Sequence, residues 1–198
     1  MFARTERLLL RPSWAEDAAE LHNAIADERI VRNLSRAPWP YALSDAREFV
    51  ALEAHILYPS FLMTQRTDGS PRIIGGCGLH EQDGHVELGY WIARDHWGLG
   101  YATEAARALV DIARAIGHRR LNARHFVDNP ASGRVLRKAG FAPTGKTGLL
   151  HSRGRNSSAP CALYEQDLTG TADSEDDAMT QKMPTPPTIR HIMEARAA

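Results

Sequence analysis

A chain of 198 residues, 43% hydrophobic and 24% charged, has the proportions of one globular domain with a sizeable core and a margin for tails. Lys plus Arg and Asp plus Glu each number 24, so no net charge marks nucleic acid or an anionic membrane as a partner. Two cysteines make no disulfide framework, the apolar run near the N-terminus is only Leu8-Leu9-Leu10, and no stretch reaches the roughly 18 apolar residues of a membrane span; a cytoplasmic protein is expected.

In chain order, a strand is predicted near residues 6–12. Ser13 then precedes Glu16 and Asp17, which open a helix carrying Ala18, Leu21 and Ile25 at helical spacing. Residues 30–41 read as irregular and end in Pro38-Trp39-Pro40-Tyr41. Ser44-Asp45 starts a second helix with Ala46, Phe49, Val50, Ile56 and Leu57 on one face. The period then changes. Residues 61–64, 73–79 and 85–93 read as strands separated by Asp68-Gly69 and Asp83-Gly84, both hairpin signals. Gly75, Gly76 and Gly78 suggest a bulge or a close backbone approach. A helix over 102–117 follows, with Ala105, Ala106, Leu109, Ala113 and Ile116 in its apolar stripe, and then a strand over 121–127. Asn129-Pro130 caps and starts a short helix that closes at Gly140. Residues 141–147 and 162–168 form a last strand pair, linked by a polar loop over 151–158. From Thr169 the periodicity vanishes. Asp173, Glu175, Asp176 and Asp177, then Pro184, Pro186 and Pro187, mark residues 169–198 as an acidic, Pro-containing flexible tail on a domain of residues 1–168, with room for a short helix near 188–196.

The chemistry concentrates between Val86 and Phe141. An apolar strand runs into Gly98-Leu99-Gly100, and that turn opens an alanine-rich helix. Free backbone N–H groups at the positive end of a helix dipole make an anion cradle, most naturally for phosphate. Several readings compete. Gly98-Leu99-Gly100 followed by Thr103 is an incomplete dinucleotide fingerprint, and the strand order around it is wrong for that fold. Gly140 to Thr147 matches G-x-x-x-x-G-K-[ST] in full, but a polar helix precedes it and no helix-forming segment follows it, as a nucleotide P-loop requires. Cys77, His80 and His85 are too loosely spaced for a metal site and lack a fourth ligand, so no metal is expected. Cys161 has no histidine placed to activate it as a nucleophile.

Three motifs carry a specific resemblance: E-L-G-Y-W-I at 87–92, W-G-L-G-Y-A-T-E-A at 97–105 and N-P-A-S-G-R-V-L-R-K-A-G-F at 129–141. With E-R-L-L-L-R-P near the start and W-P-Y before the second helix, residues 6–168 resemble the GNAT superfamily of N-acetyltransferases, in the branch that acetylates ribosomal-protein N-termini. The resemblance implies an α/β fold whose mixed, mostly antiparallel sheet is splayed at the acetyl-CoA site and flanked by helices. It implies transfer of an acetyl group from acetyl-CoA to a primary amine, a protein N-terminal α-amine or a small-molecule amine, by direct attack through a tetrahedral intermediate. A non-catalytic acyl-CoA-binding module is the alternative from another class.

The same resemblance distributes roles. Glu87 would be the general base, with an orienting or purely structural carboxylate as the other reading, and Ser132 would protonate the departing thiolate. Backbone at Trp91, Ile92 and Ala93 would hold the pantetheine arm, and Trp97, Gly98, Gly100, Tyr101, Ala102 and Thr103 would cradle the pyrophosphate. Asn129 would bond the arm while capping its helix, and Lys138 would reach a CoA phosphate. Asp95 stands where the family usually has Gln or Arg, an unfavourable charge for a phosphate loop unless it points away. Arg32, Trp39 and Tyr41 would wall the acceptor, and the basic and aromatic character of residues 29–41, which include Arg36, hints at an acidic or aromatic feature in it. The partner is thus the amine acceptor, with no nucleic acid or membrane, and a homodimer is compatible with the sequence.

Overall fold

The computed structural model describes residues 1–53, 55–67 and 69–170. Its elements all lie in the unit Met1–Leu168, and the tail expectation beyond Gly170 falls outside the described residues, as does Asp68 of the first hairpin signal. The strands are β1 (Ala3–Arg4), β2 (Leu8–Arg11), β3 (Ser60–Gln65), β4 (Arg72–Gln82), β5 (His85–Ile92), β6 (Arg120–Phe126), β7 (Ala142–Ser152) and β8 (Ser157–Asp167). The helices are α1 (Ala18–Ile25), α2 (Glu28–Val31), α3 (Leu43–Val50), α4 (Tyr101–Ala115) and α5 (Pro130–Lys138). One eight-stranded sheet has the order β1-β2-β3-β4-β5-β6-β8-β7, antiparallel at every junction except β5–β6.

Each sheet face has its own core. Leu8, Leu10, Met63, Ile74, Leu79, Leu88 and Leu121 pack with Ala105, Ala106 and Leu109 of α4 and Leu136 of α5. On the other face Leu62, Ile73 and Trp91 meet Leu21, Ile25, Val31 and Ala46 from α1, α2 and α3. The glycines of β4 serve close approach. A Cβ at Gly76 would stand 2.5 Å from Trp91 Nε1, so only glycine lets the indole lie flat across the neighbouring strand. The Asp83-Gly84 turn is as predicted, with φ of 53° and 76°.

Three expectations are corrected. The turn into α1 is closed by Asp17, whose Oδ2 accepts the Trp14 N–H at 2.7 Å, rather than by Ser13. The second helix ends at Val50, so Ile56 and Leu57 leave its face and are exposed; their loop is held instead by His118 Nε2 donating to Leu57 O at 2.7 Å. The polar stretch 151–158 shrinks to a turn at Arg153–Asn156, because β7 and β8 stay paired as far as Ser152 and Ser157.

Asp17 also anchors the helical layer to the sheet. Arg11 donates to it through both Nη atoms at 2.7 Å, and both residues are buried. Burial pushes the carboxyl pKa up, but the Arg11 and Trp14 hydrogen bonds outweigh that and hold it below the usual carboxylate range. A lowered folded pKa gives stability that is present above the unfolded value of about 3.9 and is lost as pH falls through the lower folded value. Asp17→Asn leaves the Arg11 charge buried without its partner and should cost about 3–5 kcal/mol at pH 7. Urea unfolding at pH 7 and pH 3 should show the gap to wild type narrowing at the lower pH.

Candidate active site

β5 and β6 run parallel but share a single register pair, Glu87↔Asn122. Beyond it the strands diverge, leaving the β6-facing edge of residues 88–92 without a strand partner among the described residues. The sheet is therefore splayed beside the motif E-L-G-Y-W-I. An open strand edge is a ready partner for an extended amide-bearing chain.

The splay leads to the glycine turn. Trp97 Nε1 donates to Ile92 O at 2.7 Å and folds the turn over the end of β5. Gly98 and Gly100 have φ of 77° and 86°, and an added Cβ at Gly98 would meet nothing within 4 Å. The first bond of α4 is Thr103 N–H to Gly100 O at 3.1 Å, so the amides of Tyr101 and Ala102 precede it at the helix N-terminus. Asp95 is exposed. Glu104 does not face this turn: it accepts from Arg7 N, Arg7 Nε and Thr5 Oγ, and Arg7 Nη1 bonds Leu99 O at 2.9 Å. Glu104 and Arg7 thus brace the loop from outside.

The predicted catalytic residues lie on opposite faces of the cleft. Glu87 is buried on the α1–α3 face, where its Oε2 accepts from Arg124 Nε at 2.6 Å and Nη2 at 2.5 Å. Its other oxygen, Oε1, lies 3.9 Å from His80 Nε2, the residue opposite it on β4. Burial, then the charges of Arg36 and Arg124, bring the His80 pKa down to about 4, so its imidazole is neutral at physiological pH. Ser132 is on the α4–α5 face. The Tyr90 hydroxyl lies 2.7 Å from the Ser132 Oγ and 3.0 Å from the Ser132 carbonyl oxygen, with one proton to donate to either. Asn129 Oδ1 accepts from Ser132 N at 3.4 Å and so caps α5. Burial raises the Tyr90 pKa to about 12, which keeps its proton in place.

Arg124, His80 and Tyr90 were not singled out for these roles from the sequence. Tyr90 is within the E-L-G-Y-W-I motif, and only the path of α5 back over β5 shows that it meets Ser132. The other predicted residues take varied positions. Tyr41 is buried among α1, α2 and α3, stacked on His22, so it cannot line the acceptor wall. Trp39 is exposed, and Arg32 pairs with Asp128 at 3.4 Å. Ala93 donates its N–H to Ile74 O at 2.8 Å, and the Tyr101 ring is buried with its hydroxyl bonded to Gln65; only the Tyr101 backbone amide faces the turn's end of α4. Lys138 is exposed at the far end of α5, its carbonyl bonded to Arg107 of α4.

The P-loop alternative is excluded by context. Gly140 caps α5 with φ of 98°, and Ala142 to Thr147 enter β7, so no helix N-terminus follows Lys146. Cys77 faces the α4–α5 core while His80 faces the other side, and no group of three metal-ligating residues occurs among the described residues.

A splayed sheet with an open strand edge and a glycine turn presenting helix amides suit an extended, phosphate-bearing ligand. Residues 7–142 match the acetyltransferase (GNAT) domain model, and the chain belongs to that family. An uncharacterized N-acetyltransferase, p20, of Bacillus licheniformis is 30% identical over 156 residues, covering 74% of this chain and 83% of its own. A GNAT-family acetyltransferase of Bacillus anthracis superposes with a TM-score of 0.70 at 22% identity, over 85% of this chain and 99% of that one. RimL, a ribosomal L7/L12 α-N-protein acetyltransferase solved with coenzyme A, superposes with a TM-score of 0.67 at 18% identity, over 84% and 98%. GNAT acetyltransferases use acetyl-CoA, and the open β5 edge and glycine turn fit its extended pantetheine arm and its pyrophosphate. Among the described residues no helix is long and apolar enough to cross a membrane.

Proposed function

We propose that this protein acetylates the primary α-amine of a protein or peptide N-terminus by direct transfer, as in the RimL-like branch. The observation that carries the reading is the placement of Glu87 and the Tyr90–Ser132 pair on opposite sides of the cleft. Acetyl-CoA supplies an activated acyl group and a thiolate leaving group. The chain supplies the rest. Glu87 Oε1, with Arg124 holding the other oxygen, receives the ammonium and its proton on the α1–α3 face. The edge of residues 88–92 and the amides at 98–102 hold the donor, Asn129 orders the start of α5, and Lys138 offers a charge at its end.

Ser132 is the proton donor on the other face, and Tyr90 controls whether its proton is free. The single Tyr90 proton goes either to Ser132 O or to Ser132 Oγ. Only the second arrangement frees the Oγ–H to meet a departing thiolate. Tyr90 is therefore a positioning residue. Tyr90→Phe should lower kcat by about tenfold or more, and the deficit should shrink with an acetyl donor whose thiol is more acidic. An equal deficit with both donors would mean that Tyr90 serves packing alone.

A further inference from the structure

The tip of the β7–β8 hairpin docks on the loop after α2. Ser152 Oγ donates to Leu34 O at 2.7 Å, Arg153 N to Ser35 O at 3.0 Å, Arg153 Nη1 to Arg36 O at 3.3 Å and Arg155 Nε to Arg32 O at 2.6 Å. A Cβ at Gly154 would stand 2.6 Å from Val31 O, so the two segments are in backbone contact. The seam is held by carbonyl acceptors, and these leave the arginine charges uncompensated. Arg155 is matched: its two Nη atoms donate to Asp128 at 2.8 Å, and its guanidinium lies 4.3 Å over the Phe126 ring. Arg32 reaches the same carboxylate at 3.4 Å and is half exposed. Arg36 and Arg153 are exposed and have no carboxylate partner among the described residues. Asp128 is thus shared by Arg32 and Arg155, while the charges of Arg36 and Arg153 stay unpaired.

This surplus of positive charge sits at the open end of the cleft. Phe126 ends β6, Asp128 follows it, and the loop of residues 32–36 extends from the α1–α3 layer on the face where Glu87 lies. Arg36 is near enough to His80, opposite Glu87, for its charge to help keep that imidazole neutral. Arginine forks match carboxylate geometry, and a basic wall repels polycationic amines.

We propose that the acceptor carries a carboxylate close to its reacting amine, received by Arg36 and Arg32 while the amine sits at Glu87. This rests on the amine-acetylation reading above. Two sources share the chemistry: an acidic residue just behind a free N-terminus, and the α-carboxylate of a free amino acid.

The test is kcat/KM from thiol release with Ser-Asp-Asp-Gly amide, Ser-Lys-Lys-Gly amide, serine, serinamide and spermidine, for the wild type and Arg36→Glu. The acidic peptide should exceed the basic one by about tenfold or more, the ratio should shrink with added salt, and Arg36→Glu should collapse or invert it. Preference for serine over serinamide, without discrimination between the peptides, would assign the carboxylate to a free amino acid. Equal rates across both pairs, or spermidine as the best acceptor, would overturn the proposal and leave amine acetylation standing. Thiol release with none of these amines would overturn both.

Discussion

Glu87→Gln is expected to lower kcat/KM about 100-fold, the scale of a lost proton acceptor, while acetyl-CoA affinity stays within about twofold. The amide keeps the carboxylate's shape and can still accept from Arg124, so the cleft should keep its form. It cannot take a proton from an ammonium. Arg124 grips Oε2 at 2.6 Å and 2.5 Å and leaves Oε1 facing His80 at 3.9 Å, which makes Oε1 the oxygen available to an incoming amine. Steady-state kinetics beside a calorimetric titration separate the two quantities. If Glu87→Gln turned over amine at the wild-type rate, proton removal would belong to neutral His80 or to water, and Glu87 would serve only to pair Arg124 across the splay.

Gly100→Val should weaken acetyl-CoA binding by about tenfold or more. Gly100 has a φ of 86° at the N-cap of α4, where a β-branched residue is strained by about 1–3 kcal/mol. Relief of that strain would turn the neighbouring amides away from the ligand, and those amides, rather than a side chain, make the anion site. Lys138→Ala, which removes one exposed charge, should cost only a few-fold. Calorimetry on both variants checks the ranking. Wild-type affinity in Gly100→Val would mean that the pyrophosphate does not sit at the start of α4.

Much of this was legible locally. Alternation, glycine turns and the Asn129-Pro130 cap mark β4, β5, α4 and α5, because those signals arise within a few residues. The splay itself followed only from the resemblance, since a parallel junction with one register pair leaves no trace in either strand. The Glu87–Arg124 pair joins residues 37 apart in sequence, and nothing near either one announces the other. Tyr41 read as an accessible aromatic beside two prolines, yet the α1–α3 layer closes over it. The turn at Arg153–Asn156 read as an open polar loop because its polar groups bond to loop carbonyls after α2, far away in the chain.

The most direct test of the central claim is mass spectrometry of a Ser-Asp-Asp-Gly amide peptide incubated with the protein and acetyl-CoA, with the intact protein weighed in the same sample. Direct transfer predicts one acetyl group on the peptide α-amine, dependent on the protein, with the protein's own mass unchanged. An unmodified peptide, or a stable acetyl group on the protein instead, would contradict it.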